Sequence, residues 1–515
     1  MKFALALLLA LAPAIALYEV LRFLIVRAVQ RGLTQRARRF ADKHGVRVDL
    51  FKFGGKLLVR EELLNDLVVV RAMLAAAQEG ERPTEVRRRV EEYIDEIVPA
   101  FSLAAYYQFG MKLARAAIRA VYRPLIDTES FKRVSKLPPD ATAVFLINHR
   151  SNFDYVVVGW ALSRQVAISY AVGEWARIFP LDALFRAFGG FFVRRGFPDP
   201  LYHTVLRRYL QLITRRGVTQ GIFPEGGLTR DGALRSPKVG LLDALLQLSA
   251  EPGFDRDLYF VPVGINYDRV LEDENLLAEK RGRKNPPTAA EKLRGVLHLL
   301  WIVPARVALN LVRAATGRLH RHGYVAVALG EPVRLRDLPE AAQIAGLSDD
   351  GRRELAKRIA QQLMERIART IPATPVPLVC SALVANRFEA SEETLAIAVR
   401  DLRARLSALG VPTALGVEFD AHRRARAALE EEHRNRDLAR LEGDVLELEE
   451  AEEIVRLGLE RLSQRKAIVR RDGAVRIGTH PHAAELIEYY ARSLAALDQE
   501  PRPQERQAEQ AQLRA

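Results

Sequence analysis

Cysteine is almost missing from this chain: Cys380 is the only one among 515 residues. A single thiol can neither close an intramolecular disulfide nor build a cysteine-rich metal cluster, which excludes a disulfide scaffold and a zinc ribbon. Long apolar runs are scarce as well. The best is Phe3 to Tyr18, broken by Glu19 and Arg22 and resumed through Val26, which is marginal against the roughly 20 residues that span a bilayer. Zinc-finger spacing and RNA-recognition aromatic motifs are also lacking, and arginines are spread through amphipathic stretches, so no nucleic-acid partner is expected. Acidic residues are outnumbered, 64 against 78 basic, leaving a formal charge of +14. A protein of that charge is expected to meet an anionic membrane surface or phosphorylated small molecules.

What is present is ample for folding. At 49% hydrophobic and 28% charged, a chain of this length buries a substantial core and divides into several regions. Residues 1–40 read as an uncleaved membrane anchor or an interfacial helix. Arg27, Arg31, Arg36, Arg38 and Arg39 follow the apolar stretch, and the positive-inside rule then places the remainder at the cytoplasmic face of the inner (cell) membrane. Residues 41–136 read as helical, with the charged stretch Glu79 to Arg89, which includes Pro83, as an inter-helix connection. Within them Phe101 to Ile126 carries Lys112, Arg115, Arg119 and Arg123 at near-helical spacing. This predicts a basic amphipathic helix, lying on a membrane or packed on the next domain.

The texture changes at residues 137–345. Short apolar runs, 144–148, 168–172, 191–194, 221–223, 259–265 and 325–329, alternate with helical segments, which predicts an α/β domain. An amphipathic insertion at 279–317, containing Trp301 and Pro304, is a second candidate for membrane contact. Residues 346–500 read as charged and helical, and 501–515 as a disordered tail.

Candidate chemistry gathers in the α/β region. His149 and Asp154 stand five positions apart where the run Ala143 to Ile147 ends and a helix begins. An aspartate in a helix's first turn gains from the helix dipole and can hold one imidazole nitrogen, leaving the other as a base. Gly189-Gly-Phe-Phe-Val-Arg-Arg195 ends a strand in two guanidinium forks, Arg194 and Arg195, of a geometry that suits phosphate. In Gly221 to Gly232, Pro224, Gly226 and Gly227 set a turn whose amides can line an anion site, beside Glu225, Thr229 and Arg230 and ahead of Lys238. A fourth block, Val261 to Arg269, reads as a strand broken by Pro262.

In this order the four blocks resemble the glycerolipid acyltransferase superfamily. Its H-x4-D motif is carried by His149 and Asp154, and its F-x-E-G core by Phe223, Glu225 and Gly226. The H-R-S at His149 to Ser151, the G-x-F-F-x-R-R at Gly189 to Arg195 and the E-G-G at Glu225 to Gly227 look like glycerol-3-phosphate 1-O-acyltransferases. So do Tyr324 to Leu335, Thr374 to Val379 and Glu488-Tyr-Tyr490. Leu228 and Pro224 depart from that pattern, the latter toward the lysophosphatidate enzymes. The resemblance implies a mixed-sheet acyltransferase core with helical N-terminal and C-terminal regions. It implies transfer of a fatty acyl group from acyl-CoA or acyl carrier protein to the sn-1 hydroxyl of glycerol 3-phosphate, without metal or other cofactor. His149 would be the base and Asp154 its orienting partner. Arg194, Arg195, Glu225, Gly226, Gly227, Thr229, Arg230 and Lys238 would bind the acceptor. Lysophosphatidate and dihydroxyacetone phosphate stay open as acceptors. A thioesterase or esterase using Ser151 or Thr229 as nucleophile is the alternative of another reaction class.

Overall fold

The computed structural model describes residues 55–99, 101, 106, 110–163, 165–173, 185–186, 188–194, 196–282, 321–344, 346–413 and 436–495. The expected anchor at 1–40, nearly all of the 279–317 insertion, Arg195 and the tail at 501–515 lie outside them. Strands in chain order are β1 Arg123–Ile126, β2 Thr142–Ile147, β3 Ser169–Gly173, β4 Phe191–Val193, β5 Gln220–Ile222, β6 Leu258–Tyr267, β7 Tyr324–Leu329, β8 Val333–Arg334, β9 Glu389–Ser391, β10 Ile468–Arg471 and β11 Ala474–Ile477. The chain falls into two compact units. The first is Met1–Gly110 with Leu162–Gln220, the second Met111–Ala161 with Gly221–Ala515.

The first unit packs the helices Leu67–Gln78 and Pro83–Ile97 against Pro200–Arg215, beside the parallel pair β3 and β4. Its helix starts are chemically marked. Asp66 accepts from the amides of Val68 and Val69 with one oxygen and holds Arg208 with the other at 2.7 and 2.9 Å. Asp199 caps Pro200–Arg215 through the Leu201 amide and also accepts from the Tyr93 hydroxyl at 2.6 Å. Pro83 opens a helix instead of interrupting one, since its missing N–H falls where no helical bond is due. The expected connection over 79–89 is therefore shorter, ending at Arg82.

The second unit is built on a mixed sheet in the order β1-β7-β6-β2-β5, with β8 added to β6. β2 runs parallel to β6 from Thr142↔Leu258 to Ile147↔Val263, and β6 is antiparallel to β7. Every residue of β2 is buried, as its uninterrupted apolar run predicts for a strand covered on both faces. Pro262 does not break β6. It lies where β7 has ended and β8 has yet to begin, so no ladder bond needs its N–H, and its carbonyl accepts from Gly330. The expected helix over 101–126 is also corrected: Met111–Val121 is helical, but Arg123–Ile126 leaves the helix to pair in parallel with β7.

Beyond the sheet, the helix Asp349–Thr370 packs on β6, closely enough that a Cβ on Gly264 would meet the Thr370 carbonyl at 2.0 Å. The helices Pro375–Ala385, Glu392–Ala408, Arg436–Gln464 and Ala483–Ala491 follow. Gly458 lets two of these cross, since a Cβ there would meet Val379 at 2.6 Å. This region is not wholly helical: β10, β11 and β9 form a small antiparallel sheet. Among the described residues no helix is long and apolar enough to cross a membrane.

Candidate active site

The end of β2 is a rigid mount. Asn148, buried beyond it, extends the ladder with its side chain, donating from Nδ2 to the Ile265 carbonyl at 2.9 Å and accepting from the Ile265 amide at 2.8 Å. His149 follows, 1% exposed, with its ring against Phe223 at 4.2 Å between centroids and edge-on to Tyr155 at 5.5 Å. Its Nδ1 lies 2.9 Å from Asp154 Oδ2.

Asp154 opens the helix Asp154–Leu162 and is fully buried. Its Oδ2 also accepts from the amides of Arg150 and Ser151 at 2.8 and 3.0 Å, and its Oδ1 from the Tyr267 hydroxyl at 2.6 Å. Burial, then the charge of Asp154, raises the Tyr267 phenol well above the ordinary tyrosine range, so it donates. Three donors besides the ring, two amides and a phenol, facing one side chain are a set for a carboxylate with no proton of its own. That set assigns the proton of the His149 ring to Nδ1 and leaves the lone pair on Nε2. A base held in one tautomer by a buried acid, with its other nitrogen available, suits it to take a proton from a hydroxyl.

A second carboxylate locks the loops around the base. Glu225 accepts from the His149 amide at 2.7 Å with one oxygen and from the Arg235 amide at 2.9 Å with the other. Burial raises its pKa to about 7, against the pull of those two amides in the opposite direction. Thr229 has its hydroxyl committed to its own turn, donating to the Ala233 carbonyl at 2.6 Å and accepting from the Gly232 amide at 3.1 Å. Its amide donates to the His149 carbonyl at 3.2 Å. Glu225 and Thr229 therefore both fasten the Gly221 to Gly232 segment to the dyad. Gly226 takes φ +63°, and a Cβ there would meet Lys238 Cγ at 2.9 Å.

Of the cationic candidates in this unit, Arg230 is exposed and pairs with Glu279 at 3.1 Å, and Lys238 is exposed. An exposed pair of this kind is worth about 1 kcal/mol or less, so Arg230 can exchange its partner for a phosphate at little cost. Arg194 belongs to the first unit. There its Nε and Nη2 both donate to the Glu96 carboxylate, and its guanidinium lies 4.5 Å from the Phe197 ring centroid. Ser151, the alternative nucleophile, donates its hydroxyl to Glu272 at 2.7 Å. Among the described residues neither Ser151 nor Thr229 offers its hydroxyl to His149. Cys380 is fully buried, and burial pushes its thiol well above the ordinary range, so it is a small packing residue.

Residue reading missed Tyr267, Arg150 and Glu272. Tyr267 stood in the Val261 to Arg269 block, and the alternation Val263, Ile265, Tyr267 was the available signal that its side chain shares a face with two core residues. Nothing local announces Arg150, which is 2% exposed and donates from Nη2 to the Gly232 carbonyl at 2.7 Å.

A buried His/Asp pair at the carboxyl end of a parallel strand, braced by a glutamate from the Gly221 to Gly232 block, has a geometry suited to general-base chemistry, and the family comparison is in keeping with it. Residues 130–266 match the acyltransferase family model, and residues 308–455 match the model of the glycerol-3-phosphate acyltransferase C-terminal region. The chain is an acyltransferase enzyme, a glycerolipid acyltransferase similar to the glycerol-3-phosphate acyltransferases. Among solved structures it is similar to the 1-acyl-sn-glycerophosphate (LPA) acyltransferase PlsC from Thermotoga maritima. That match has 16% identity and a TM-score of 0.27, covering 60% of this chain and 96% of that one.

Proposed function

We propose that this enzyme transfers a fatty acyl group from a thioester, acyl-CoA or acyl carrier protein, to the sn-1 hydroxyl of glycerol 3-phosphate at the cytoplasmic face of the cell membrane. The observation that carries the reading is the 2.9 Å contact between His149 Nδ1 and Asp154 within a carboxylate cage that fixes the tautomer. His149 Nε2 takes the hydroxyl proton as the acceptor oxygen bonds to the thioester carbonyl carbon. The carbon–sulfur bond then breaks, and the imidazolium returns the proton to the leaving thiolate. Asp154 stabilises the imidazolium between those steps. Arg230 and Lys238 hold the acceptor phosphate, which converts a bimolecular encounter into a positioned one. The chemistry uses side chains alone and calls for no cofactor. The match of residues 308–455 to the glycerol-3-phosphate acyltransferase C-terminal model favours this acceptor.

The test is the purified full chain in detergent, supplied with labelled acyl-CoA or acyl carrier protein and, separately, glycerol 3-phosphate, lysophosphatidate or dihydroxyacetone phosphate. Acyl glycerol phosphate formed from glycerol 3-phosphate, and lost in His149→Ala, is the expected result. Product from lysophosphatidate alone would move the acceptor, and free fatty acid without any acceptor would make the enzyme a thioesterase.

A further inference from the structure

The second unit contains a cleft that the dyad does not use, lined by Asp268, Arg269, Arg321, His322, Arg461 and Arg465 among others. Its charges are unevenly matched. Arg465 is spent on Asp273 and Glu274. Asp268 uses its two oxygens on the amides of Tyr324 and Val376, at 2.8 and 3.0 Å. Arg321 meets only a neutral group, donating from Nε to the Arg119 carbonyl at 3.0 Å. Arg461 donates to the Arg321 carbonyl at 3.2 Å and approaches Glu460 no closer than 3.8 Å. Among the described residues the Arg269 guanidinium has no hydrogen bond and no ion pair.

Two groups in the cleft register that excess. His322 is pushed down to about 4, by burial first and Arg269 next, and its Nδ1 is buried without a partner. Arg321 is itself lowered, by burial and by the charges of Arg123 and Arg119. Beyond burial, the neighbouring arginine charges lower both groups further, and that positive contribution favours an anion. A carboxylate would satisfy one arginine fork. Several forks lining one cleft suit a tetrahedral dianion, whose oxygens can each accept.

We propose that this cleft binds a phosphate group, held by Arg269, Arg321 and Arg461 with neutral His322 as a further partner, separately from the acceptor phosphate at Arg230 and Lys238. Its floor is tied to the dyad: Tyr122 donates to the Arg269 carbonyl at 2.7 Å, and its ring lies 5.3 Å from that of Tyr267, the phenol that holds Asp154.

Isothermal titration of inorganic phosphate into the full chain in detergent tests this with wild type, Arg230→Ala and the double variant Arg269→Gln/Arg461→Gln. The double variant is expected to weaken one binding event by roughly tenfold or more, because charge-assisted bonds are lost, while Arg230→Ala keeps that event. Arg269→Gln alone, expected to give a smaller drop in the same event, serves if the double variant fails to show a wild-type unfolding transition. Flotation with phosphatidate-containing against pure phosphatidylcholine vesicles identifies the source. A gain from phosphatidate that the double variant loses assigns a lipid headgroup; phosphate binding without such a gain assigns a small molecule. Wild-type phosphate affinity and stoichiometry in the folded double variant would overturn the proposal.

Discussion

Asp154→Asn isolates the charge of the dyad from its geometry. In the wild type, Oδ2 receives three donors, the His149 ring and the amides of Arg150 and Ser151, whereas Oδ1 receives only the Tyr267 hydroxyl. An asparagine can set its oxygen at the three-donor corner and its NH2 toward Tyr267, whose hydroxyl rotates to accept. The opposite orientation would point the NH2 at two buried amides and orphan both, at about 1–3 kcal/mol each. The first orientation wins, so Nδ1–H and the free Nε2 survive.

What is lost is the negative charge beside the imidazolium of the transition state. Charge-assisted bonds are roughly twice as strong as neutral ones, so the difference is on the order of 1–1.5 kcal/mol. At 1.36 kcal/mol per decade, kcat should fall by about 5- to 13-fold. A flipped tautomer costs far more, about 10⁴-fold in the serine-protease triad. Two measurements decide: kcat at saturating donor and acceptor, and ¹⁵N NMR of the His149 ring. Tyr267→Phe supplies the control, since removing the hydroxyl from Asp154→Asn leaves its NH2 unpaired and should cost more than the product of the single losses. A 10⁴-fold fall or an Nε2–H tautomer in Asp154→Asn would refute the network reasoning, and an unchanged kcat would remove the dyad from catalysis.

The pH dependence of stability should carry the mark of Glu225. Burial raises it from 4.5 to about 7, so the folded state keeps this proton where the unfolded chain releases it. Its contribution is fully present below pH 4.5 and is lost as pH rises through about 7. Denaturant midpoints at pH 5 and 8 should therefore show the wild type losing on the order of 1–3 kcal/mol relative to Glu225→Gln across that window; parallel curves would contradict the burial argument. Arg230→Ala should raise the Michaelis constant for glycerol 3-phosphate roughly tenfold with kcat within a factor of about three, because a phosphate contact made in ground and transition states alike is uniform binding. Steady-state kinetics with varied acceptor checks it, and an unchanged constant would place the phosphate elsewhere.

The parts of this protein that could be read from its residues are those where local pattern and tertiary demand coincide. Ala143 to Ile147 is apolar throughout because both faces of β2 are covered, and Asp154 lies in the first turn of its helix, where the helix dipole favours a carboxylate. Arg123–Ile126 is the opposite case. The basic spacing Lys112, Arg115, Arg119 and Arg123 continues a helical rhythm to the strand's first residue, and only β7, some 200 residues away, supplies the hydrogen bonds that end it. The β10–β11 hairpin did carry a local sign, Asp472-Gly473 with φ of 53° and 75°, a turn that favours these residues, but charged helical surroundings obscured it.

The site divides along the same line. Spacing exposed His149 and Asp154 as partners because only the four residues 150–153 separate them, whereas Tyr267 joins them only through the β2/β6 register. Composition marked Glu225 and Thr229 as polar groups beside the base without revealing which way they face. A buried loop must satisfy its own amides before it can serve a ligand, and the His149, Arg235 and Gly232 amides claim these two side chains first. The exposed Arg230 and Lys238 carry no such internal obligation beyond one surface pair, so the division between groups that hold the base and groups that can meet the phosphate follows from burial rather than from residue type.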